Sequence, residues 1–231
     1  MAMNQPPIAL SYSRLSDYEQ CPRKFKSKYI DKTYPDESDN PAFAKGTLIH
    51  KQLENYILAK KANTALPSTG VHAGNALKMI DRLFDQCILI TAEKQLAVDL
   101  KWNQCDWFAK PDMVKYRAII DMIAFYDTNT VLIADFKSGK FRDYSETDTS
   151  QLNLTAAMIF SLYPEVTKIS SVYLYVEHKQ TVRVDFTRDM LDKLKAPFDK
   201  MYLVVQNDED FKHTKNKYCN WCSEMTCPIK G

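Results

Sequence analysis

Glycine is scarce in this chain: five residues in 231. So low a count implies much regular structure and few tight loops. Neither sign of charge is in excess, with 31 Lys and Arg against 29 Asp and Glu for a formal net charge of +2. Composition alone therefore does not mark a nucleic-acid binder, and any such surface has to be a local patch. No apolar run approaches the length of a membrane span. The opening "MAMNQPPIAL" has neither a basic start nor a signal-length apolar core. Internal repeats, low-complexity segments and helicase motifs are also missing. The expectation is a soluble cytoplasmic protein, without membrane association, forming a single domain over residues 1–231.

Helical spacing is present early. Leu15, Tyr18, Phe25 and Tyr29 recur at helical intervals, Ser13 is placed to cap, and Pro22 is expected to bend or divide the helix. Residues 31–42 read as a polar loop. "FAKGTLIHKQLENYILAK" gives a second helix with Ile49, Leu53, Tyr56 and Ile57 on one face. "NALKMIDRLFDQCILI" gives a third, aligning Leu77, Ile80, Leu83, Phe84, Cys87 and Ile88. The period then changes to that of strands at 93–102, 114–127 and 131–137. A helix follows at 148–163, then a strand pair turning near Lys179, then a helix at 188–206 with Pro197 inside it. The order implies a mixed α/β fold, a central mixed sheet flanked by helices. Its parts are a helical N-terminal portion (1–91), a core (92–206) and a cysteine-rich tail (207–231).

One strand carries chemistry. In "VLIADFKSGK" the residues Asp135 and Lys137 are two apart and share a face. In the strand before it, Asp121 interrupts the apolar run "AIIDMIAF", a costly position for an unpaired carboxylate. If these strands form a hairpin, Asp121 reaches the face of Asp135 only when the loop has an odd number of residues or a bulge intervenes. Two converging carboxylates need a cation, and oxygen ligands suit Mg²⁺ or Mn²⁺. A lysine beside such an ion suits phosphodiester hydrolysis. Acid-x-Lys is a common pattern, found again at Asp99–Lys101 and Glu177–Lys179, so the strand alone decides little. Glu93 is either a further acid near the metal or a solvated strand residue.

These motifs together resemble the PD-(D/E)XK nuclease superfamily, most closely its RecB-like branch of CRISPR-associated and helicase-linked iron–sulfur exonucleases. The resemblance lies in "GTLIH" (Gly46 to His50), Asp121, Asp135-x-Lys137 and Gln151 in "QLNLTAAM", in that order. It implies a restriction-endonuclease-like core. It also implies that His50, Asp121, Asp135 and the Phe136 carbonyl hold the metal, that Lys137 is the catalytic lysine and that Gln151 is a positioning residue. Two positions depart from the branch, Ala118 where Gly is common and Thr155 where Tyr is common.

Six cysteines in a chain without a secretion signal point to metal ligation rather than disulfides. The tail spaces Cys219, Cys222 and Cys227 as ligands, with Cys21 the candidate fourth. The spacing suits Zn²⁺ or an iron–sulfur cluster equally; the resemblance implies [4Fe–4S], closing residue 21 onto the tail. Cys87 and Cys105 read as structural. Basic and aromatic residues flank both cysteine segments: Arg23, Lys24, Lys26 and Tyr29 in one, Lys215, Lys217 and Trp221 in the other. That mixture suits single-stranded DNA. The implied function is a Mg²⁺- or Mn²⁺-dependent nuclease acting on single-stranded DNA ends. A helicase, recombination or CRISPR-adaptation partner would supply any unwinding. The alternatives are an endonuclease or repair nuclease on branched or duplex DNA, and a non-catalytic recombination accessory protein.

Overall fold

The computed structural model describes residues 7–36 and 41–229. The middle of the expected 31–42 loop lies outside them. Ser11, rather than Ser13, caps α1 (Tyr12–Gln20), its hydroxyl accepting from the Arg14 amide. Ser13 falls in the first turn instead. Cys21 is extended and separates α1 from α2 (Pro22–Tyr29). Pro22 takes the first helical position, where its missing N–H leaves no bond unmade. The expected apolar face of α3 (Pro41–Lys61) is buried through Ile49, Leu53, Tyr56 and Ile57.

The third helix differs from expectation at both ends. It begins at Val71 and stops at Gln86 (α4, Val71–Gln86). Cys87 is extended, Ile88 is exposed, and the first strand, β1 (Leu89–Val98), starts within the stretch read as helical. The apolar residues around 88–91 fit either period; the branched Ile90 and Thr91 and the pairing of β1 with β2 (Tyr116–Phe125) make them strand. Trp102, read as the end of that strand, instead sits beyond it with φ 68°.

The sheet has five strands in sequential order, completed by β3 (Thr130–Lys137), β4 (Lys168–Tyr175) and β5 (Gln180–Thr187). All neighbours are antiparallel except β3 and β4, which run parallel and are joined through α5 (Ser150–Leu162). The sheet is therefore mixed and flanked by helices, as the order of elements implied. The last helix, α6 (Leu191–Gln206), carries Pro197 without ending there. Two apolar layers cover the sheet: α1, α2, α5 and α6 on one face, α3 and α4 on the other. Among the described residues no helix is long and apolar enough to cross a membrane.

The inward faces of β1 and β2 change sides midway. Ile90 and Ala92 pack toward α3 and α4, whereas Leu96 and Val98 pack on the opposite layer. In β2, Tyr116 and Ile120 belong to that opposite layer, whereas Met122 and Ala124 pack toward α3 and α4. The change occurs at Glu93 and Asp121, which the pairing passes over between Ala92↔Met122 and Lys94↔Ile120. Glu93 has φ 47°, a left-handed backbone that costs a residue with a side chain about 1 kcal/mol. Local interruptions of this kind re-aim side chains, and these two lie at the functional site.

Candidate active site

The β2–β3 hairpin satisfies the parity condition. The Tyr126 amide donates to the Thr130 carbonyl, leaving a three-residue loop, Asp127 to Asn129. The Asp127 carboxylate fixes that loop by accepting from the amides of Asn129 and Thr130, each at 2.7 Å. The paired register ends at Met122 opposite Ala134, and Asp121 and Asp135 are the next residues on the two strands. Beyond Ala134 the ladder opens, and the Phe136 amide donates to the Asp121 carboxylate at 2.7 Å.

His50 comes from α3. Its ring nitrogens lie 2.8 Å from the Phe136 carbonyl and 3.3 Å from the Asp121 carboxylate. A carbonyl only accepts, so Nε2 must donate. Gly46, one turn earlier on the same face, explains the approach: a Cβ there would stand 3.1 Å from the Ser138 hydroxyl at the end of β3. Burial lowers the His50 pKa, but the hydrogen bond and charge of Asp121, with the Phe136 carbonyl, raise it overall. A proton thus sits among the groups that the resemblance gives to the metal. Ligand atoms of His50, Glu93 and Asp121 all lie within 4.8 Å of one another. Glu93 therefore joins the acids at the centre; burial first, then the Asp121 charge, raise its pKa.

Asp135, Lys137 and Gln151 form a closed ring. The lysine ammonium is 2.8 Å from the Asp135 carboxylate and donates to the Gln151 carbonyl at 2.9 Å. The Gln151 amide donates back to Asp135 at 2.5 Å. Lys137 also lies 4.6 Å from the centre of the Tyr173 ring, which shields one side of the charge. Burial pushes the Asp135 carboxyl up to about 6; Lys137 pulls it down and Asp121 adds to the rise. The hydroxyl of Thr155 turns back to the Gln151 and Leu152 carbonyls of its own helix. Of the six residues read from the sequence as the centre, His50, Asp121 and Phe136 bond to one another, and Asp135, Lys137 and Gln151 form the adjoining ring; Glu93, and not Asp135, completes the group of ligand atoms around His50 and Asp121. Sequence reasoning missed Tyr173, since nothing in an apolar strand signals a ring beneath a lysine one strand away.

The cysteines meet elsewhere. Cys21, Cys219, Cys222 and Cys227 line one cavity of about 200 Å³. No three of their sulfurs lie within 4.8 Å of one another, the spacing that unites the His50 group. Backbone amides of Thr214 and Asn216 donate to the sulfurs of Cys21 and Cys219 at 3.5 and 3.3 Å, and the Tyr34 hydroxyl to Cys222 at 3.9 Å. Such donors suit anionic sulfur. Cys87 and Cys105 lie apart from this cavity, each half-buried beside apolar neighbours.

Of the basic and aromatic residues near the cysteines, Lys24 and Tyr29 bond to Asp17, Lys26 pairs with Asp31, and Arg23 donates to Thr226. Lys215 and Lys217 remain exposed, and Trp221 is 76 % exposed.

Similar folds occur among solved structures. The crystal structure of SSO0001 superposes with a TM-score of 0.48 at 13 % identity, covering 100 % of this chain and 90 % of that one. A "Putative exonuclease" from Eubacterium rectale superposes at 0.53 with 11 % identity, covering 93 % and 86 %. No curated protein sequence matches. A family match extends over residues 9–228, from the strand-like entry to α1 through the last cysteine, and so takes in every element described above. The chain belongs to the PD-(D/E)XK nuclease superfamily.

Proposed function

We propose that the protein is a Mg²⁺- or Mn²⁺-dependent exonuclease of the RecB-like branch, degrading DNA from single-stranded ends and carrying a structural [4Fe–4S] cluster. The observation that carries the reading is the meeting of two groups across one hairpin: His50, Glu93 and Asp121 on one side, the Asp135–Lys137–Gln151 ring on the other. His50, Asp121, Asp135 and the Phe136 carbonyl would hold the ion, with Glu93 as a further acid. A bound divalent ion supplies charge stabilisation at a phosphoryl oxygen and makes nearby water more acidic. Lys137, fixed by Asp135 and Gln151, orients the attacking water and stabilises the charge that develops on phosphorus-bound oxygen. Gln151 keeps the lysine in place and leaves Asp135 only one oxygen to share with it.

Cys21, Cys219, Cys222 and Cys227 would hold the cluster, which joins residue 21 to the tail and turns its binding energy into folding energy. That all four cysteines line one cavity supports a common bound group. Exposed Lys215, Lys217 and Trp221 would offer charge and a stacking ring beside it. The chain has no helicase motif, so unwinding of duplex ends falls to a partner.

The test uses anaerobically purified protein with Mn²⁺, an end-labelled single strand and a circular single strand. Loss of the linear strand alone, abolished by Lys137→Ala, is expected. Cutting of the circle makes the enzyme an endonuclease. Equal digestion by the native protein and Lys137→Ala removes the catalytic role from this centre. A brown colour with absorbance near about 400 nm supports the cluster; a colourless zinc-containing protein rejects it.

A further inference from the structure

A cleft of about 740 Å³ opens beside the catalytic ring, and Gln151 is part of its wall. α1 forms one side of this cleft and β2 the other, which brings Arg14 and Arg117 into it together. Burial lowers the Arg14 pKa; Tyr29 opposes this and the like charge of Arg117 adds to it. Yet among the described residues neither makes an ion pair. Asp17, the one carboxylate in the wall, is engaged by Lys24, Lys28 and Tyr29.

Each guanidinium is held in position without being neutralised. Arg14 donates to the Ala9 carbonyl and lies 5.1 Å from the Tyr29 ring centre. Arg117 donates to the Ala109 carbonyl and lies 5.8 Å from the Trp107 ring centre. The buried Nε of Arg117 has no partner. A guanidinium has five donors, and one carbonyl apiece leaves most of them free. Two fixed, like-charged forks with unused donors suit an anion that accepts several hydrogen bonds, as a phosphate does. The N-terminal turn of α1, with Ser13 exposed in it, adds a favourable partial charge at the same wall.

We propose that Arg14 and Arg117 form a phosphate clamp that grips the substrate strand next to the phosphodiester being cut, with Trp107 as the neighbouring base platform. This rests on the nuclease reading above, because Gln151 joins the cleft to the reacting centre. The ligand class is the backbone of a single polynucleotide strand, for which an aromatic ring beside paired cations is the usual recognition chemistry.

The test measures binding of a fluorescein-labelled oligothymidylate by anisotropy at several salt concentrations, in Lys137→Ala protein so that nothing is cut. Arg14→Ala and Arg117→Ala should each weaken binding about tenfold or more. Each should also reduce the slope of log affinity against log salt by about 0.7 for every phosphate that is no longer neutralised. In protein with Lys137 intact, the same substitutions should raise KM more than they lower kcat. Ser13→Glu is the control for folding: an acid in the first turn of α1 favours the helix but repels the phosphate, so affinity should fall with the melting temperature kept. If the arginine variants do not fold, Ser13→Glu decides. Unchanged affinity and salt slope in the folded variants overturns the clamp. A native protein that binds through this cleft but digests nothing preserves the clamp and removes the nuclease reading.

Discussion

The two ligand-rich regions of this molecule are built in opposite ways. The oxygen-rich centre takes its residues from α3, β1, β2, β3 and α5, whose backbones are fixed by the sheet ladder and two apolar layers. Its groups are already hydrogen-bonded to one another: His50 to Phe136 and Asp121, Lys137 to Asp135 and Gln151. The sulfur-rich cavity takes Cys21 from the break between two helices and the other three cysteines from a tail with only one short helical turn. Phe211 anchors that tail, stacked on Phe25 and edge-on to Tyr18. Beyond it, scattered polar bonds hold the tail in place, such as Asn216 to the Gln20 carbonyl and Ser223 to Tyr34. One site is organised by the sheet and its two apolar layers. The other, under the proposed function, would need its ligand to organise its part of the fold.

The largest effect that separates them is a loss of turnover without a loss of structure. Lys137→Ala should lower the rate of nucleotide release at least about 10²-fold, within the range for a positioned proton-transfer or charge-stabilising group. Its melting temperature should stay near that of the native protein, because the lysine side chain is one-third exposed and sits outside the apolar layers. A melting temperature that falls with the rate would mean that the ring holds the sheet rather than the chemistry.

Cys222→Ala should behave in the reverse order. Removing one ligand of a structural group is among the few single changes that cost more than about 4 kcal/mol. The loss should appear as protease cleavage between residues 212 and 229, while the segment before Phe211 resists. Turnover should fall only as far as the folded fraction does. Unchanged folding with abolished turnover would place the cysteine cavity in catalysis and erase the contrast.

Between pH 5 and pH 7, proton competition should act on the oxygen-rich centre through Asp135 and His50. Asp135 has its pKa raised to about 6, and that of His50 is raised as well. A raised carboxyl pKa keeps the neutral acid to higher pH, and a raised imidazole pKa keeps the cation to higher pH; both forms ligate poorly. Mn²⁺ affinity, read by calorimetry, should therefore increase from pH 5 to pH 7 and release protons on binding. For Asp135 the sign on stability also follows. The raised folded pKa destabilises the metal-free protein as pH rises from the ordinary carboxylate range through about 6, and Mn²⁺ should restore that loss. A flat affinity over this range would mean that neither group is a ligand.

Much of the oxygen-rich centre was legible because strand and helix periods decide which side chains share a face. Asp135 and Lys137 needed only a spacing of two, and Asp121 needed only a loop of odd length, which Asp127 to Asn129 provides. What sequence periods do not carry is a change of period inside an element. The left-handed backbone at Glu93 reverses the faces of β1, and before that reversal is known Glu93 cannot be assigned to the centre or to solvent. The α4–β1 boundary was obscure for a related reason: the apolar stripe continues through Cys87 into a strand, so composition stays the same while geometry changes. Arg14 and Arg117 are a third kind of case. They are about a hundred residues apart, and only the packing of α1 beside β2 makes a pair of them.

The smallest effect tests how far the helix, rather than the sheet, sets the oxygen-rich centre. Gly46→Ala should improve α3 intrinsically by about 1 kcal/mol. The new Cβ would meet the Ser138 hydroxyl at 3.1 Å, so a few tenths of an ångström of movement is required. If Ser138 gives way, nothing changes except stability, which rises slightly. If α3 gives way, His50 one turn later moves off Asp121 and Phe136, and Mn²⁺ affinity falls a few-fold while the melting temperature holds. The second outcome is expected, because Ser138 directly follows the paired end of β3 at Lys137–Tyr175 and has little freedom to retreat. Adding Ser138→Ala removes the offending oxygen and should return the affinity. A Gly46→Ala protein whose lost affinity is not restored by the second change would show that the glycine serves helix α3 itself and not the approach of His50 to the strand.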